Sequence, residues 1–461
     1  MPEAQVLNAF ARRIWRTLER AYSETGYWPE GVLRLFPRTW AEGTAVKAHK
    51  TFSVDVGDYC KSLEPSTISI NEHDEKRFPD SMPGRYLLSQ KFTPGPVHVA
   101  VRGKCLAITV GHHALVCHFN LEGNVRPMKR LDFEKLVATC VPGNNKNPAK
   151  AERLRSFVSP PKFLEPGARK KKTIYKINIL AAVVMDDDVI IVTDFSRMSQ
   201  LHVVSSFSVL QESDLCPGSA LWKTRLWSRF LGGPDWIVET DAALCALDTW
   251  CMDVIRRRVT KPILDVLLEV DGPGAGMGQH LANDLLFGIA LHPDTPSLTI
   301  CLSDELYSEL RTHIPAFMAT FASPLYLQRC AGDPNSDNPF VFHEVSNTNF
   351  LRTYVLVYRK LEVRVPAILY NLYQSRGTPY HRSWTPTTQI VAVQLFEDSQ
   401  NNRYHIIRAK PPADWADAHT EPNSMMFQTQ ALQQHLAQHH FLNPCKTNSM
   451  WHKSEYNGQA M

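Results

Sequence analysis

Residues 97–121 constrain the fold of this chain more than any other stretch, because two apolar runs flank a short turn. Val97, Val99 and Val101 alternate with other residues, the period of a strand with one buried face. Residues 105–110 and 114–119 then flank Gly111-His112-His113. The segment 174–209 repeats this shape, with 179–185 and 189–195 on either side of Asp186-Asp187-Asp188 and 201–209 following. Laid side by side, Leu106-Ala107-Ile108-Thr109-Val110 matches Leu180-Ala181-Ala182-Val183-Val184. Two copies do not make a propeller, so the reading is two β-hairpins and not a repeat array.

Residues 8–22 read as an amphipathic helix, with Ala9, Phe10, Ile14, Trp15, Leu18 and Tyr22 at helical spacing, stopping near Gly26 and Pro29. Between the hairpins, 142–167 is rich in Pro, Asn and Lys and reads as an exposed loop or linker. From Ser219 the pattern turns helical, over 220–231, 240–259 and 262–270. Beyond Asp333 it returns to β, with 354–365 and a hairpin of 390–396 and 404–407. The tail, 411–461, is polar with one short helix at 424–440. These elements predict an α+β fold with a β-hairpin-rich N-terminal half, a helical middle and a mixed C-terminal part. The expected divisions are 1–215 (β-rich, with the N-terminal helix and a basic loop), 216–332 (helical) and 333–461 (mixed, with the polar tail).

Charge singles out residues 129–176, which hold thirteen Lys/Arg against four acids on a chain of formal net charge +4. A basic segment on an otherwise slightly acidic body points to a polyanion contact. Arg169-Lys170-Lys171-Lys172 form a compact patch before a strand, joined by Lys176. Lys146, Lys150, Arg153 and Arg155 lie on a loop and a short helix. Phe157, Phe163 and Tyr175 are placed either to stack on bases or to anchor the loop.

Asp271-Gly272-Pro273-Gly274-Ala275-Gly276-Met277-Gly278 is the sharpest enzymatic lead, since glycines let backbone approach a cofactor closely. Residues 263–270 before it read as a strand or as a helix. The leucine spacing, Pro262 at a helix start and Gly272 at a helix end favour the helix. With 263–270 as a strand and 297–302 as a second one ending at Asp304, the order resembles the opening of a Rossmann-type methyltransferase over about forty residues. That resemblance implies S-adenosylmethionine held by Gly272, Gly274 and Gly276, with Asp304 toward the ribose.

Two clusters invite a zinc reading: Cys105, His112, His113, Cys117 and His118 on one hairpin, and His435, His439, Cys445 and His452 in the tail. A regular pairing puts Cys105 and Cys117 on one face, but neither spacing matches a recognised finger. Asp186-Asp187-Asp188 with Asp248 and Asp253 sketch a polymerase-like metal pair in the wrong order. No serine-nucleophile elbow, phosphate-binding lysine loop or zinc-protease helix is present. The ten scattered cysteines suit a reducing compartment, and no apolar run is long enough for a membrane span.

The resulting expectation is a non-enzymatic structural or assembly protein, such as a viral coat or inner-particle protein. It would contact other protein subunits, its own copies included, and touch RNA phosphates without reading sequence, with no metal or cofactor. Its ten tryptophans suit protein interfaces. Its expected place is intracellular, cytoplasmic or in a virion, and away from membranes. The alternative is the methyltransferase-like enzyme.

Overall fold

Helical spacing of apolar residues at the N-terminus buries one stripe and so places the first core. The computed structural model describes residues 3–36, 39, 52–59, 87, 92–119, 123–143, 147–163, 176–230, 232–332, 338–340, 343–358, 360, 362–376, 389–397 and 402–410. In it α1 spans Ala4–Thr25, and Leu7, Phe10, Ile14 and Leu18 are buried along one face. Gly26 ends the helix at φ +76°, donating its N–H to the Tyr22 carbonyl at 2.8 Å. A side chain there would be strained, so the glycine is a backbone requirement.

Strands follow in chain order: β1 (Glu30–Leu35), β2 (Phe52–Asp55), β3 (Gly95–Arg102), β4 (Cys105–Val110), β5 (His113–His118), β6 (Gly123–Lys129), β7 (Cys140–Pro142), β8 (Arg155–Val158), β9 (Lys176–Ile177), β10 (Ile179–Val184), β11 (Asp188–Asp194) and β12 (Gln200–Ser205). Nine of them form one sheet in the order β2-β12-β5-β4-β3-β1-β10-β11-β6. Every pairing is antiparallel except β2 with β12. The two look-alike hairpins thus belong to one sheet, joined by β1, which pairs with β3 on one side and β10 on the other. Val97, Leu106, Ile108, Leu115, Leu180, Val183 and Ile190 meet the α1 stripe in one core. Burying these side chains supplies the main stabilisation, at roughly 1.5–3 kcal/mol each.

The stretch read as a linker is in large part folded. Two helices, α2 (Arg130–Val137) and α3 (Pro148–Arg153), accompany a second sheet in the order β7-β8-β9. Phe133, Leu136, Phe157, Phe163 and Ile177 pack with Ile179 and Ile191 in a second core. Phe157 and Phe163 anchor the segment to this core, and Pro148 opens α3. Among the described residues seven cysteines are free and Cys216 is disulfide-bonded.

The chain divides into two units: Met1–Phe230 with Ala331–His343, and Leu231–Cys330 with Glu344–Met461. Arg13 holds the returning piece of the first unit through the Ala331 carbonyl, and Arg126 does so through the Pro339 carbonyl at 2.6 Å. The second unit holds α4 (Thr240–Arg257), α5 (Ile263–Leu267), α6 (Gln279–Gly288), α7 (Ser297–Cys301), α8 (Asp304–Thr320), α9 (Pro324–Cys330), α10 (Glu344–Asn349) and α11 (Ala367–Ser375). Its strands β13 (Glu362–Pro366), β14 (Gln389–Glu397) and β15 (Arg403–Lys410) form a sheet in the order β13-β15-β14. Phe287, Val357, Val363, Val365, Tyr373 and Ile407 make its core. The fold is α+β, as the sequence patterns indicate. Among the described residues no helix is long and apolar enough to cross a membrane.

Candidate functional site

The β3–β4 hairpin closes with Arg102 paired to Cys105, which leaves Gly103 and Lys104 as a two-residue turn. Gly103 takes φ +57°, the left-handed geometry such turns demand. Glu3 stands immediately before α1 in extended backbone, and its carbonyl accepts the Val6 N–H at 2.9 Å. Because α1 packs across β3 and β4, Glu3 comes within electrostatic reach of Lys104, and it is itself buried at 7% exposure. Burial pushes the Lys104 ammonium below its usual range, while the charges of Glu3 and Cys105 pull it back upward.

His118 adds a third group. It lies on β5 directly opposite Cys105, and its ring stacks on Phe230 with centroids 5.3 Å apart. Burial lowers the His118 pKa, and the charge of Lys104 lowers it further. A half-buried lysine that loses its proton more easily than usual has the chemistry to serve as a nucleophile or base. A neighbouring carboxylate can take up and return protons. Sequence reasoning passed over this constellation, since Glu3 and Lys104 are far apart and belong to no recognised spacing. The signal available was a lone lysine in a two-residue turn between buried strands.

The predicted polyanion residues are placed unevenly. Lys146, Arg169, Lys170, Lys171 and Lys172, with Tyr175, lie outside the described residues. Lys150 and Arg153 are on α3. Arg155 donates to the Cys140 carbonyl at 3.3 Å, and Lys176 donates to the Pro142 carbonyl at 2.8 Å. Elsewhere in the basic run Lys129 meets Asp188 at 3.1 Å, Arg130 meets Glu134 at 3.0 Å and Lys162 meets Asp132 at 2.5 Å. Of these three pairs only Lys129–Asp188 draws on a carboxylate from outside the run, since Asp132 and Glu134 are among its four acids.

The glycine run follows a helix, α5, where a cofactor loop needs a strand, and 297–301 is the helix α7. The methyltransferase-like reading is corrected accordingly. A Cβ on Gly274 would collide with the Leu267 carbonyl oxygen, and one on Gly272 would sit 2.5 Å from that of Val266. Gly276 has φ +83°, and Trp236 donates its indole N–H to the Pro273 carbonyl at 2.8 Å. Close approach of the loop to the end of α5 thus accounts for these glycines. Asp304 opens α8 behind Ser303, whose side chain caps the helix.

Cys117 lies opposite Leu106 and not Cys105, so the two cysteines fall on opposite faces and cannot share a metal as the regular pairing suggested. Both thiols are buried and pushed up, Cys105 to about 12. Among the described residues no group of three or more His, Cys, Asp or Glu is arranged to hold a metal ion. The tail cluster of His435, His439, Cys445 and His452 lies outside the described residues. Asp188 is paired with Arg20 and Lys129, and Asp248 accepts from Tyr307 at 2.6 Å and Arg311 at 2.8 Å.

On β12, His202 is buried and its Nδ1 lies 2.8 Å from Ser53 Oγ. Desolvation drops its pKa from 6.5 to about 4, against the raising pull of Asp55 and Ser53. The unfolded chain therefore binds a proton below pH 6.5 that the folded chain refuses until about pH 4. Stability should fall by about 3 kcal/mol as pH drops through that window. Urea unfolding at both ends of it should show a smaller loss for His202→Gln, and an equal loss in the variant would contradict the assignment.

No family model and no curated protein matches this chain. Among solved structures it is similar to formamidopyrimidine DNA glycosylase (Fpg, MutM) of Lactococcus lactis, non-covalently bound to DNA containing an AP site. The identity is 12%, the TM-score 0.36, and the match covers 69% of this chain and 83% of that one. MutM (Fpg) of Thermus thermophilus gives 15% identity and a TM-score of 0.34, over 67% of this chain and 80% of that one. MutM in complex with DNA containing carbocyclic 8-oxo-G gives 13% and 0.34, over 70% and 84%. These are DNA glycosylases and not coat or inner-particle proteins, and the expectation of a non-enzymatic structural protein of a virion is withdrawn on that finding.

Proposed function

We propose that this chain is an enzyme acting on nucleic acid by amine chemistry, with Lys104 as the amine and Glu3 as its proton-carrying neighbour. The observation that supports it is the half-buried lysine of lowered pKa beside a buried carboxylate. An amine nucleophile needs an electrophilic carbonyl, and within nucleic acid the ring-opened sugar of an abasic site presents one. Lesion-bearing DNA is therefore the substrate class to try first. In the step envisaged, neutral Lys104 adds its nitrogen to the aldehyde carbon of that sugar. The carbinolamine then loses water to give an imine, and Glu3 relays the protons that leave nitrogen and arrive on the departing oxygen.

Borohydride reduces such an imine to a stable amine, leaving the protein covalently joined to the strand. Incubation of the full chain with abasic-site DNA and borohydride should give one slow-migrating adduct on a denaturing gel, and intact DNA should give none. An adduct that persists undiminished in Lys104→Ala would place the reacting amine elsewhere. Failure of every lesion to give an adduct or a cleaved strand would remove the reading.

A further inference from the structure

Cys251 on α4 and Cys301 at the end of α7 are 50 positions apart in the chain and meet in one small apolar cluster. Val254 completes its buried part, with Trp250, Val259, Leu298 and Tyr307 packed around it. The Cys251 thiol donates to the Cys301 carbonyl at 3.9 Å, and the two thiols are hydrogen-bonded to each other. Bonds on both sides hold the helices in this relation. At the start of α7, the Ser297 N–H donates to the Lys261 carbonyl at 2.9 Å and the Leu298 N–H to the Val259 carbonyl at 3.1 Å. One turn before Cys251, Asp248 ties α4 to α8 through Tyr307 and Arg311. At 6% and 7% exposure the two residues keep contact with solvent too narrow for anything but a small molecule.

We infer that Cys251 and Cys301 form a peroxide-oxidisable dithiol that closes reversibly into a disulfide joining α4 to α7. Burial raises both thiols above their usual range. Against it, the hydrogen bond from Cys301 favours the Cys251 thiolate, and the same bond raises Cys301 further. Cys251 is therefore the attacking sulfur and Cys301 the resolving one. The Cys251 thiolate attacks one oxygen of the peroxide, the O–O bond breaks, and the departing hydroxide takes up the thiol's proton as water. Cys301 then attacks the sulfur of the resulting sulfenic acid. The S–S bond forms, the S–O bond breaks, and the hydroxyl leaves as water with the Cys301 proton. One peroxide is reduced as the pair of thiols is oxidised, so electrons and protons balance. Because the thiols already touch and their helices are pinned, closure asks for little movement of the backbone.

The test treats the full chain with a small excess of hydrogen peroxide, then alkylates and digests it beside an untreated control. Mass spectrometry should find the Cys251 and Cys301 peptides joined after peroxide, and dithiothreitol should separate them. The unfolding midpoint should rise by about 5–10 °C in the oxidised protein, since the link closes a long loop in the unfolded chain. Linking should speed up by about tenfold per pH unit near neutrality, because the thiolate is the attacking form. In Cys301→Ser the link and the rise should both vanish, and dimedone should trap a sulfenic acid at Cys251. Separate Cys251 and Cys301 peptides in a sample whose exposed Cys245 has been oxidised would overturn the assignment. A link that forms without any rise in the midpoint would equally overturn it, as the helices would then not be joined in their folded relation.

Discussion

Replacing Lys104 with alanine is expected to abolish the borohydride-trapped adduct on abasic-site DNA and to slow strand processing by about a hundredfold or more. Lys104→Arg should fare no better, because a guanidinium keeps its proton and cannot add to an aldehyde. Glu3→Gln tests the other half of the pair and should act on pH dependence as well as on rate. Glu3 raises the Lys104 pKa that burial lowers. Removing its charge should therefore shift the rising limb of the rate profile to lower pH, even while the loss of proton relay reduces the maximum by about 10²-fold. A profile that stays in place in Glu3→Gln would show that the carboxylate does not sense the lysine. Thermal unfolding of each variant separates chemistry from folding, since Lys104 sits in a turn that alanine tolerates.

In the second unit, Asp284→Ala is expected to be the most damaging single substitution. Its carboxylate is fully buried on α6 and accepts three backbone N–H groups, from Leu356 at 2.7 Å, Val357 at 2.9 Å and Tyr358 at 3.1 Å. Those donors would be left buried without an acceptor, a cost of about 3–5 kcal/mol. Asp284→Asn retains one acceptor oxygen and should lose roughly half as much. Hydrogen exchange would localise the effect: the amides of Leu356 to Tyr358 should lose protection first. A variant with an unchanged unfolding midpoint and protected amides would refute this account of the segment.

Much of the architecture could be read in the chain. The spacing of Phe10, Ile14 and Leu18 specified the first helix, and the apolar runs around Gly111-His112-His113 and Asp186-Asp187-Asp188 specified the hairpins. The leucine spacing of Leu264, Leu267 and Leu268 also favoured the helix found before the glycine run. Register was harder. Cys105 faces His118 and not Cys117, because the turn at the far end of the hairpin sets which residues oppose, and a slip of one reverses every face. A charge count also leaves out partners from elsewhere in the chain: Asp188 meets Lys129 because β11 pairs with β6.

Local pattern, then, decided which segments became helix or strand, since periodic burial of apolar side chains is written in neighbouring residues. What brought the Glu3 carboxylate and the Lys104 amine together was the laying of α1 across β3 and β4. The lowered lysine pKa is a consequence of burial, and burial depends on what the rest of the fold excludes from water.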